Sequence, residues 1–380
     1  RLIDLIKSTP EVQQFLEGIP IEDQPNWEKK KTYRNDAQQH IEDKYVWVIR
    51  RELSRLFATG KEKNKPLDII MDDYIKHCIS ISRLSLQLLN FLMLSRLWDA
   101  KKKNKQINTN QQIFTRFFST RPMKLKELRT MFQQQLEIFR EYQIEFPCKE
   151  EFTPEFLQAN LDPESDFNKA YGEIEALSEL PDQEVGYGLG HCHTAEISIA
   201  TILTSIPFFT TYQLVTMKKV EYEETRNASP RYVKDFTILE TKQLKEHQRF
   251  LKYDSKPSLS YALFFHSAYN VINLFPFLLD YSALVTEVEF QLYCYVCRHN
   301  KSGLKYWSQD KEKEDILTFS GNNENDIEVL SEGQKNEMQK KIRLDLAIRQ
   351  FEDAMNTILD SDEHFIPVSD EENVGFIKNI

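Results

Sequence analysis

The chain has 380 residues, enough for two or three domains with substantial cores. Charged residues make up 28% and hydrophobic residues 41%, an ordinary balance for a soluble globular protein, and a net charge of -10 argues against general nucleic-acid binding. Five cysteines, an odd and scattered set, point to a reducing compartment with free thiols, and no charged-then-apolar leader follows Arg1, so the expected location is cytoplasmic.

The first half reads as helical. Arg1 to Glu17 carries Leu2, Ile3, Leu5, Ile6, Val12, Phe15 and Leu16 on a short amphipathic helix, interrupted near Pro10 and ended near Gly18 and Pro20. Asn35 to Phe57 continues with Val46, Ile49, Leu53 and Phe57, with Gly60 as a C-terminal cap. The longest helix is predicted over Asp72 to Ala100. Its most hydrophobic run, Leu84 to Trp98, is broken by Gln87 and Arg96 and is too short to span a bilayer, so it reads as a buried core helix and no membrane is expected. The lysines after it, Lys101 to Lys105, suit the negative end of a helix dipole. Leu125, Leu128, Phe132, Leu136 and Phe139 recur at helical spacing, and Thr153-Pro154 and Asp162-Pro163 look like two successive N-cap-plus-proline starts. These pieces make a helical bundle over residues 1–209.

Next comes the most distinctive stretch, Gly186-Tyr187-Gly188-Leu189-Gly190-His191-Cys192-His193-Thr194-Ala195-Glu196, running into an apolar helix. After Pro207 the period shifts to two. Tyr212 to Tyr222, Tyr232 to Glu240, Tyr261 to His266 and Glu287 to Arg298 read as strands, and a hairpin loop from His299 to Gly303 returns through Leu304 to Ser308. An antiparallel β domain is therefore expected over 210–310. Residues 311–335 are acidic and asparagine-rich and read as a linker. Residues 336–380 hold a C-terminal amphipathic helix and tail, with Leu344, Ile348, Phe351, Met355 and Ile358 forming a heptad-like seam that can dock on its own domain or on a partner.

Three constellations carry candidate chemistry. Cys294 and Cys297 have the spacing of a metal-ligand pair, but residues three apart on a regular strand face opposite ways about 10 Å apart, so a shared ion needs a bulge; no second pair of ligands follows, and neither metal nor cofactor is expected. Cys192 sits just ahead of a helix between His191 and His193, where the helix dipole can lower a thiol pKa. Its Gly-x-Cys setting resembles papain-like cysteine hydrolases, which would need a base from elsewhere, with His266 or His299 as candidates and Asp280 as orienter. Arg34-Asn35-Asp36-Ala37-Gln38-Gln39-His40 pairs an arginine with a histidine one helical stretch away.

That last spacing resembles the motif of HEPN-type ribonucleases. The order of parts, a buried helix, a glycine-led helix, an apolar Val271–Asp280 segment and a paired strand, is similar to a HEPN-like helical domain with an appended β domain in bacterial defence and signalling proteins. The resemblance implies an α+β fold with a HEPN-like core and, for Arg34 and His40, metal-independent cleavage in which the histidine activates a ribose hydroxyl and the arginine steadies the phosphate. Around His191 the motif fails, because Val185 and Gly186 stand where the arginine and its polar neighbour belong. The expectation is accordingly a non-enzymatic regulatory or interaction module of a bacterial defence or stress-response system, binding another protein and able to form a homodimer. The alternatives are a ribonuclease that uses Arg34 and His40 or, in second place, His191, with RNA as partner, and a papain-like hydrolase using Cys192 with the flanking His191 and His193 to assist.

Overall fold

The structure is a computed structural model. It describes residues 44–59, 65–104, 106–109, 112–147, 151–180, 187–223, 231–238, 247–253, 263–266, 271–281, 291–309, 312–321 and 332–367. The first amphipathic segment, Arg34, His40 and Gly60 lie outside them. In chain order come helices α1 (Trp47–Thr59), α2 (Leu67–Lys103), α3 (Gln112–Phe117), α4 (Leu125–Glu141), α5 (Pro154–Leu161), α6 (Asp166–Ser178) and α7 (Leu189–Ser205). Strands β1 (Gln213–Glu223), β2 (Arg231–Ile238), β3 (His247–Tyr253), β4 (Leu263–His266), β5 (Val271–Asn273), β6 (Leu278–Asp280), β7 (Leu292–Arg298), β8 (Gly303–Ser308) and β9 (Lys313–Thr318) follow, then helix α8 (Glu332–Leu359). This is the α+β order expected: a helical N-terminal part, antiparallel sheet, and a C-terminal helix.

The chain divides into two compact units, residues 1–90, 128–136 and 148–213 in one, and 91–127, 137–147 and 214–380 in the other. In the first, Ile49, Leu53, Ile75, Leu89, Phe132 and Ile199 are fully or almost fully buried, so α1, α2, α4 and α7 each turn an apolar stripe inward. The unit is closed by its ends, since the Val46 N–H donates to the Phe209 carbonyl at 2.7 Å. Thr153 caps α5 as its sequence predicts: Oγ1 accepts from the Phe156 N–H at 3.2 Å and Pro154 takes the first helical position. The start predicted at Asp162-Pro163 falls three residues later. Asp162 is the C-cap of α5, and Ser165 caps α6 by accepting from the Asn168 N–H. The turn between these helices is fixed by the buried Asn168 amide, whose Nδ2 donates to the Asn160 and Asp162 carbonyls at 2.9 and 2.7 Å. Its Oδ1 accepts from Gln133 at 3.1 Å.

The second unit holds a five-stranded sheet in the order β3-β2-β1-β4-β5 and a four-stranded antiparallel sheet β6-β7-β8-β9. Its core is aromatic. Phe351 of α8 lies 4.6 Å from Tyr295, 5.5 Å from Phe118 and 6.0 Å from Phe277, ring centre to ring centre, and Phe91 stacks on Phe277 at 5.7 Å. Ile348, Phe351, Met355 and Ile358 are all buried here and Leu344 half-buried. The heptad-like seam is thus packed inside its own unit and leaves no stripe for a partner, which corrects its reading as an interaction surface. Buried Lys101 secures the end of α8: its Nζ donates to the Ile358 carbonyl at 3.0 Å and to Asp360 at 2.7 Å, and also bonds Thr109. A cation at a helix C-terminus is favoured by the dipole: Lys101, Lys102 and Lys103 lie in the last turn of α2 as expected, and Lys101 serves the end of α8 as well.

Two readings of the β region are revised. Residues 313–318, assigned to the acidic linker, form β9, because Leu317 turns inward opposite Leu304 while the charges fall on solvent-facing or edge positions. Asp315 accepts from the Tyr293 hydroxyl, and Asp345 of α8 accepts from the Ser320 N–H at 2.7 Å, so this segment is built into the fold. Strand β7 is buried on both faces at Leu292, Tyr293, Cys294 and Tyr295, and it is not the regular strand expected. Its pairing slips between Tyr295 and Cys297, which places Cys294 opposite Trp307 and Cys297 opposite Lys305. That is the bulge needed to bring both thiols to one face.

Candidate functional site

Helix α7 begins at Leu189, with Gly188 as its N-cap. A glycine cannot supply a side-chain cap, and the histidine three residues on does the work from the other side. His191 Nδ1 accepts the Gly188 N–H at 3.1 Å, the reach-back half of a capping box, with an imidazole where Glu or Gln usually stands. Accepting that bond leaves Nδ1 without a proton. Tyr187 packs edge-on against the ring at 6.0 Å and donates its hydroxyl to the Leu177 carbonyl at 3.1 Å, tying the loop to the end of α6.

Cys192 is half-buried one position further on, and its thiol points at the Met71 carbonyl of α2 at 3.9 Å. Burial, and then the Glu196 carboxylate, push that thiol up from its ordinary pKa. The neighbouring Cys78 is fully buried and pushed well up by burial, Cys192 and Glu196; Tyr74 is raised by burial and by the same group of thiols and carboxylate. A nucleophilic cysteine needs surroundings that favour a thiolate. Burial and the Glu196 carboxylate here favour the thiol. His193 is half-buried on the same turn. Asp280, the orienter suggested by sequence, is fully buried in the second unit, where Thr216 Oγ1 donates to it at 2.9 Å; His299 is exposed there.

The structure brings together a group the sequence did not flag. Glu52 of α1, with a side chain only 4% exposed, accepts from His77 of α2 at 3.2 Å through Oε2 and pairs with Arg55 through Oε1. Burial raises the Glu52 carboxyl, but the His77 hydrogen bond and the Arg55 charge outweigh it and hold the pKa below its ordinary value. Residues 25 apart on separate helices carry no shared motif, so no spacing rule finds this pair. Among the described residues no cluster of three or more His, Cys, Asp or Glu is placed to hold a metal ion. The helix long and apolar enough to cross a membrane among the described residues is α2, and 78% of its most apolar window is buried.

On the small sheet, Trp307 of β8 and Ile316 of β9 remain 36% and 39% exposed. The alternation Leu304 in, Lys305 out, Tyr306 in, Trp307 out is readable in the sequence. Its companion Ile316 was hidden in the stretch taken for a linker.

No protein-family model, curated protein or solved structure matches this chain.

Proposed function

We propose that the chain is a non-enzymatic interaction module of a bacterial defence or stress-response system, working in the cytoplasm through protein contacts on the outer face of β8 and β9. The observation that carries this reading is the exposed Trp307 beside Ile316, on a sheet whose other face is tightly buried. Tryptophan is over-represented among residues that dominate binding energy, and here the indole shares its exposed face with a second apolar side chain, Ile316. The arrangement of the glycine-led loop supports the non-enzymatic side: His191 is engaged in capping and Cys192 is held as a thiol. Affinity capture from host extract tests the idea. Trp307→Ala should lose the association that wild type shows, with a captured partner or, by sedimentation, with itself, and with unchanged circular dichroism; equal association of both proteins in both measurements removes the reading.

A ribonuclease with a HEPN-like core has one observation in its favour. The buried Glu52 carboxylate orients half-exposed His77 beside Arg55, a set able to take a proton and steady a phosphate. Arg34 and His40 remain candidates by their spacing. Cleavage of RNA by wild type, lost in His77→Ala or His40→Ala, would favour this reading, and no cleavage of any RNA would end it.

A further inference from the structure

We infer that the occupant of the β8–β9 face is a second copy of this chain, an inference that rests on that face being the interaction surface. In the antiparallel pair Trp307 stands opposite Glu314 and Lys305 opposite Ile316. The Lys305 Nζ–Glu314 Oε2 ion pair, 2.9 Å, crosses between them, so all four side chains share the outward face. They mark the corners of a quadrilateral about 5 Å by 7 Å, set by strand spacing and the two-residue repeat. One diagonal is apolar, Trp307 to Ile316, and the other carries opposite charges, Lys305 to Glu314.

Such a pattern is self-complementary about one axis. A two-fold axis along the apolar diagonal sets Trp307 on the second copy's Trp307 and Ile316 on its Ile316, and exchanges the charges, so each Lys305 meets a Glu314 from the other chain. An axis along the strands would press Trp307 onto Glu314 and Ile316 onto Lys305. An axis across the strands would set Ile316 against Glu314. Both alternatives bury a charge against an apolar side chain. Pairing through the free edge of β9 is disfavoured by Lys313, Glu314 and Asp315, the charges that natural edge strands use against such contact. The four-residue patch is far smaller than the roughly 800 Å² per partner of a stable interface, so the dimer is weak, with a Kd on the order of 0.1 mM.

Sedimentation velocity on the full chain up to about 1 mM tests this, with circular dichroism to establish that each variant is folded. Wild type should move toward twice the mass of one chain. Lys305→Glu gives a copy with two acids on the charged diagonal, and Glu314→Lys a copy with two lysines, so each alone should lose at least about tenfold in self-affinity. An equimolar mixture of the two should recover association to within about threefold of wild type, because every acid then faces a lysine from the other copy. Loss of the intramolecular ion pair cannot produce that recovery, since both variants lack the pair. Trp307→Ala should also be monomeric. A wild type that stays monomeric at 1 mM, or a mixture as monomeric as its components, overturns the proposal. If wild type is monomeric while Trp307→Ala loses a captured partner, the second copy is overturned and the interaction face is not.

Discussion

His191 Nδ1 accepts a hydrogen bond from the Gly188 backbone N–H at 3.1 Å. One of the four free amide groups at the start of α7 is thereby satisfied by a side chain that sequence reasoning marked for catalysis. Removing the acceptor should cost what a lost cap costs. We expect His191→Ala to lower stability by about 1 kcal/mol and His191→Gln, which can reach back in the same way, to restore most of it. Chemical denaturation of the three proteins checks this, and equal loss in both variants would show that the ring does something other than cap.

Cys192 should be a poor nucleophile at neutral pH. Its raised pKa means that the thiolate fraction is smaller than that of an ordinary free cysteine, so alkylation by iodoacetamide should lag a model thiol at pH 7.5, and its rise with pH should come later than the model thiol's. Mass spectrometry of the labelled peptide reads the rate. Fast, selective labelling at pH 7 would revive the hydrolase.

The Glu52–His77 contact predicts an acid-labile component of stability. Glu52 is an acid whose folded pKa is depressed, so its contribution is present above the ordinary carboxylate value near 4.3 and is lost as pH falls through the lower folded value. Glu52→Gln should therefore be less stable than wild type at pH 7, by about 1–3 kcal/mol, and the difference should shrink toward pH 3. Thermal melts of both proteins across pH 3 to 7 measure it; a constant difference contradicts the assignment.

Helix α8 is part of a core, so its loss should unfold rather than unbind. Phe351→Ala opens a cavity among Tyr295, Phe118 and Phe277 and should cost about 3–5 kcal/mol. Lys101→Met should also destabilise, because it removes the donor to the buried Thr109 hydroxyl and one of the two donors, Lys101 and Thr109, to the Ile358 carbonyl. Near-native melting temperatures for both variants would mean that the helix is loosely held.

Where local rules act alone, the sequence was a good guide. The stripe Leu125–Phe139 became the buried face of α4, Thr153-Pro154 started α5, and Leu84–Trp98 lies in a long, largely buried helix. Reading failed where a partner distant in the chain decides. Asp162-Pro163 has the local signature of a helix start, yet the Asn168 amide holds that stretch as a turn. Acidic composition hid β9, whose place is set by pairing with β8, and the heptad-like seam could not reveal that the rings of Phe118, just after α3, and Tyr295 of β7 cover it. The glycine-led loop was located correctly as the head of a helix. What its histidine and cysteine do there depends on Gly188, Met71 and Glu196, and only folding brings the Met71 carbonyl to the thiol.

The most direct test sets the surface of β8 against the head of α7 by capture and sedimentation velocity together, with wild type, Trp307→Ala and Cys192→Ser. An interaction module working through the outer sheet face should lose its partner in Trp307→Ala and keep it in Cys192→Ser. Retention by the tryptophan variant together with loss in the cysteine variant would contradict the account.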